Sequence, residues 1–78
     1  MARSTSVELL FKELESIDWQ KNPHRGLLTE LGKAEYPNSQ NGRIYVRNRI
    51  FKSRNLVLAV KLKKMVLKNE SKAKEVLS

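Results

Sequence analysis

The side chains of this sequence best suited to chemistry are cations. Arg43, Arg47, Arg49, Lys52 and Arg54 fall within twelve residues, with Tyr45 and Phe51 among them and no acid. Lys61, Lys63, Lys64 and Lys68 follow, so residues 36–69 hold nine basic side chains without a single carboxylate. Nearly all of the formal charge of +8 therefore sits in one segment, while residues 1–35 carry six acids against five bases. A segment of this kind repels itself until anions from elsewhere neutralise it. Arginine offers a planar fork that matches phosphates or a guanine edge, and lysine offers a point charge that displaces condensed counterions. Tyr45 adds a face on which an unpaired base can stack. Candidate nucleic-acid-binding residues are Arg43, Arg47, Arg49, Arg54, Lys61, Lys64, Lys68 and Tyr45.

Other chemistry has little material. His24 is the one histidine and cysteine is absent, so no zinc set and no thiolate nucleophile can be assembled. His24 follows Pro23 at a helix start, where the helix dipole disfavours its cation and a surface or capping role fits better than base catalysis. Glu13, Glu15 and Asp18 read as the polar face of the first helix, and Gly26, Gly32 and Gly42 form no phosphate-binding loop pattern. No catalytic residue, metal or cofactor is expected. The N-terminal stretch carries no apolar run of signal-peptide length, and no run of about 18 apolar residues spans a membrane. These features point to an intracellular protein, in cytoplasm or nucleoid, that is not secreted.

The elements that must position the cations are helices. Thr5 and Glu8 have capping-box spacing, and Val7, Leu10, Phe11, Leu14 and Ile17 mark the apolar face of a helix over about residues 5–18. Asn22 as N-cap and Pro23 at the first helical position open a second helix, about 23–35, with Leu27, Leu28 and Leu31 on one side. Gly26 and Gly32 weaken it, and Pro37 stops it. Residues 37–42 are loop by composition, and Asn41-Gly42 can adopt positive φ.

Residues 43–51 fit two templates. Asn-Gly is a hairpin signal, and a short strand or wing at 43–51 in an α+β fold is the alternative, but the residues before the turn offer no partner strand. Ile44, Asn48, Phe51, Asn55, Leu58, Leu62, Met65 and Asn69 recur at spacings of four and three. They predict one long basic helix over about residues 42–70, bent near Ser53, with residues 71–78 as a frayed tail. On it Arg47, Arg54, Lys61 and Lys68 repeat every seventh residue as a stripe. Asparagines in the seam and the absence of facing acids argue against a parallel zipper.

The reading is thus an all-α chain of three helices, forming a single small domain over residues 1–78. Residues 56–67 are apolar around most of the helix, more than a small monomer can cover, which points to a homodimer through that segment. The expected function is non-enzymatic binding of duplex RNA or DNA without sequence preference. The alternative is an adaptor or inhibitor that docks the basic helix on an acidic protein. A helix-turn-helix asks for a turn shorter than residues 36–42 provide.

Overall fold

The computed structural model describes residues 5–77, with side chains through Lys72. Four α-helices follow in chain order: α1 Ser6–Glu15, α2 His24–Glu35, α3 Gly42–Phe51 and α4 Leu56–Leu77. All regular structure among the described residues is helical, as the periodicity predicts, and residues 43–51 form neither strand nor wing. No helix among them is long and apolar enough to cross a membrane.

The first two helices form close to where the local chemistry places them. The Thr5 hydroxyl accepts the Glu8 N–H at 3.1 Å, satisfying one of the orphan donors at the start of α1. The helix ends at Glu15, earlier than residue 18, because local bonds take over. The Ser16 hydroxyl donates to the Glu13 carbonyl, and the Asp18 carboxylate accepts from Gln20 N–H in a turn. Trp19 then folds back, and its indole N–H donates to the Leu14 carbonyl at 2.7 Å. One aromatic side chain thereby closes the end of α1 and fills the core. Helix α2 starts at His24 with Pro23 at the cap position, and Asn22 supplies no cap bond.

The core is a single apolar cluster. Phe11 and Leu14 from α1, Trp19, Leu28 and Leu31 from α2, Val46 and Ile50 from α3, and Leu58, Leu62 and Val66 from α4 are buried together. Burying these side chains contributes roughly 1.5–3 kcal/mol each before conformational entropy is subtracted, so nearly every one matters in so short a chain. The molecule measures 40 × 38 × 19 Å, about two helix diameters thick. Each helix therefore keeps one face in water.

The third helix of the sequence reading is two helices. Backbone N–H groups of Lys52 and Ser53 both bond the Asn48 carbonyl, and the Asn55 N–H bonds the Arg49 carbonyl. Arg54 takes a left-handed conformation with φ 52°, which ends the helical path. The Asn55 side chain then accepts the Leu58 N–H at 3.1 Å and caps α4. Asn55 was placed in a continuous seam by its spacing, but its short amide serves better at a helix start. The break moves the seam as well: the buried residues of α3 are Gly42, Val46 and Ile50, whereas Ile44, which the spacing puts in the seam, is 46 % exposed. Helix α4 continues to Leu77, past residue 70. Of the segment 71–78 read as a frayed tail, Ser78 and the side chains from residue 73 lie outside the described residues.

Candidate nucleic-acid interface

Helix α3 is positioned by its neighbour rather than by its own caps. It has ten residues, and Asn41 makes no side-chain bond to its first turn. An isolated helix of that length is marginal in water. What holds it is a close approach to α2. A Cβ built on Gly32 would stand 2.5 Å from the Gly42 carbonyl carbon and 2.6 Å from Arg43 N, and one on Gly42 would stand 2.8 Å from the Gly32 oxygen. The two main chains touch there, and neither glycine has positive φ. Gly32 and Gly42 are thus contact glycines, not a helix flaw and a turn residue. Val46 and Ile50 continue the contact into the core, fully buried.

With that face fixed, the cations of α3 have fixed places. Successive residues turn by about 100°, so Arg43 and Arg47 lie along one flank and Tyr45, Arg49 and Lys52 along the other. Ile44 and Asn48 form the ridge between them and point furthest from α2. Arg47, Asn48, Arg49 and Lys52 are exposed and Arg43 is half-buried. Tyr45 is 46 % exposed and also packs within the protein. Its ring lies 4.7 Å from that of Tyr36, at the end of α2, and the Arg49 guanidinium sits 5.5 Å from its centroid. The neighbouring Tyr45, with a smaller contribution from Tyr36, raises the Arg49 guanidinium above its ordinary value. Arg49 rests over the Tyr45 ring, a cation–π contact that biases where it points.

The stripe of Arg47, Arg54, Lys61 and Lys68 does not survive the break between α3 and α4. Arg54 lies in the turn, where its guanidinium covers the Phe11 ring at 4.3 Å and reaches Glu15 at 3.9 Å. Lys61 donates to Glu35 at 2.9 Å, and Lys63 to Glu13 at 2.7 Å. The acid-free segment is neutralised in part by carboxylates of α1 and α2 that sequence distance had hidden. Exposed pairs of this kind contribute roughly 0–1 kcal/mol each, so they orient the side chains more than they hold the fold. Lys61, Lys64 and Lys68 share one flank of α4 by their spacing of three and four, and Lys64 and Lys68 are exposed.

Of the eight candidates, the fold gathers Arg43, Arg47, Arg49 and Tyr45 on α3. It leaves Lys64 and Lys68 free on α4 and engages Arg54 and Lys61 in ion pairs. Among the described residues, none of Arg43, Arg47, Arg49, Lys52, Lys64 and Lys68 has a carboxylate within 4.0 Å. Sequence reasoning left Lys52 outside the candidate set. Lys52 stands seven residues after Tyr45, so heptad spacing within α3 alone would have found it. Two adjacent residues tie the cationic groups together at the end of α2: Glu35 holds Lys61 of α4, and Tyr36 stacks on Tyr45 of α3.

Compared with protein-family models, with curated proteins and with solved structures, the chain shows no match in any of the three. The reading of this surface rests on its own geometry.

Proposed function

We propose that this protein is a non-enzymatic nucleic-acid-binding protein that grips the phosphates of a duplex through the cations of α3, assisted by Lys68 of α4. The observation that carries this reading is the row of unpaired cations on one outward helix. Arg43, Arg47, Arg49 and Lys52 surround the ridge of α3, and none has a carboxylate within 4.0 Å among the described residues. Lys61, Lys63 and Arg54 have found acids within the chain, so the unpaired set stands out from its neighbours. Phosphates supply the missing charge, and their condensed counterions supply the driving force on release.

The same reading includes a homodimer. Leu56, Val57, Val60 and Leu67 are exposed on α4, Val57 to 64 %, and they lie away from the buried face of Leu58, Leu62 and Val66. A second copy covering this row would also cover Lys64, seven residues after Val57 and four after Val60, and leave the cations of α3 and Lys68 to the duplex.

The test is electrophoretic mobility shift with random double-stranded DNA, double-stranded RNA and single strands, on samples whose mass is measured by sedimentation at two concentrations. Retardation of duplex at micromolar protein in low salt is expected. Replacing Arg43, Arg47 and Arg49 together by glutamine should reduce the slope of log affinity against log salt by about 3, at roughly 0.9 per lost phosphate contact. No retarded band in low salt overturns the reading and favours an acidic protein as partner. A mass that stays monomeric at both concentrations overturns the dimer alone.

A further inference from the structure

We infer that α3 is a reading helix, and that it selects a base sequence by entering the major groove of B-form DNA. This rests on the nucleic-acid reading above and goes beyond it, since phosphate contacts alone carry no sequence information. Three features of α3 support it. The first is shape. A helix with its side chains is about 10–12 Å across, and the major groove of B-form DNA is about 12 Å wide. On the outward half of α3, Ile44, Asn48 and Lys52 are exposed, while Phe51, seven residues after Ile44, turns in against Trp19, so a groove meets the helix along its first two turns.

The second feature is the pattern of side chains around that ridge. Arg47 and Arg49 stand one residue to either side of Asn48, about 100° round the helix in opposite directions. A groove that receives Asn48 therefore meets a guanidinium on each wall. Ile44 lies one turn before Asn48 on the same ridge and is 46 % exposed, an apolar group whose natural counterpart in the major groove is a thymine methyl.

The third feature is the contrast between two asparagines. The Asn55 amide is spent on capping α4. The Asn48 amide has no hydrogen-bond partner among the described residues and is exposed. A free amide on the ridge can pair in two bonds with the N6 and N7 edge of adenine, and Arg49, oriented by Tyr45, can do the same with O6 and N7 of guanine. The platform suits such work: main-chain contact at Gly32 and Gly42, with Val46 and Ile50 buried, fixes α3 on α2. Duplex RNA is a poor fit, because its major groove is too deep and narrow for side chains to read.

Selection of bound molecules from a pool of randomised DNA duplexes tests the proposal, with the full chain as bait. The expected result is an enriched motif containing an adenine and a guanine in fixed relation, bound at least ~10-fold more tightly than unselected DNA. Asn48→Ala should lower affinity for the selected site by ~10-fold or more and leave affinity for unselected DNA unchanged. Exchanging the adenine for another base should weaken the wild type by a similar factor and leave Asn48→Ala indifferent. Thermal unfolding of the variant should match the wild type, since the amide supports nothing in the fold. Retardation of DNA with no motif enriched, or equal binding of duplex RNA and the best DNA, overturns the reading helix while the phosphate-binding reading stands. Failure to retard any nucleic acid overturns both.

Discussion

Helix α3 and the part of α4 before Glu70 come from one acid-free segment with similar densities of cations, yet the fold treats them differently. On α4 and in the turn before it, Arg54, Lys61 and Lys63 have partners in Glu15, Glu35 and Glu13. On α3, Arg47, Arg49 and Lys52 point to solvent with no acid in reach among the described residues. The difference lies in what each helix rests on. Helix α4 meets α1 and α2 along faces that include their glutamates. Helix α3 meets α2 through glycine, valine and isoleucine, and turns Arg47 and Arg49 outward while Arg43 stays half-buried. Local composition thus identifies a cationic segment, but long-range neighbours decide which of its cations are available to a ligand.

Changes in the platform should break this contrast most severely. Gly32→Ala drives a methyl group into the main chain of Gly42 and Arg43, where no side chain can rotate aside. It should cost about 3 kcal/mol or more and leave the domain largely unfolded, as seen by chemical denaturation followed by circular dichroism. Gly26→Ala is the control. Its added carbon meets only Asn22 Oδ1, at 3.7 Å, so the gain in helix propensity should raise stability by about 0.5–1 kcal/mol.

A smaller effect sharpens the register of α3. Ile50→Ala removes a side chain with no exposed surface and should cost about 2–5 kcal/mol. Ile44→Ala removes one that is nearly half exposed and should change stability by less than about 0.5 kcal/mol. Equal losses at the two positions would restore the continuous seam through Ile44. The smallest expected loss among the structural contacts concerns the break itself: Asn55→Ala removes the cap on α4 and should cost about 1 kcal/mol in the same denaturation experiment.

Local signals made much of this legible from the residues alone. Thr5 with Glu8 announced the start of α1, and Leu28 and Leu31 marked the buried face of α2. The helical state of residues 43–51 followed from the lack of a partner strand. The break at 52–55 was harder to see, because spacings of four and three run through it unbroken and no proline or glycine marks it. It is made by an arginine in a left-handed conformation that glycine or asparagine would adopt more readily. The Arg54 guanidinium over Phe11 and near Glu15 offsets part of that strain, and such a contact cannot be read from spacing. The candidate site was legible in its charges and in Tyr45. Which cations are free was not, since Glu13, Glu15 and Glu35 reach them only after folding. The glycines misled for the same reason: a residue that weakens a helix alone can be what lets another helix approach.

That approach has a mechanical side. A joint between two main chains has no rotamers with which to yield, so it passes on displacement without slack. Helices α2 and α3 are therefore built as one stiff piece, to which residues 52–55 join α4. A ligand that pulls on α3 also pulls on Tyr36 and on its neighbour Glu35, whose grip on Lys61 connects that piece to the last helix.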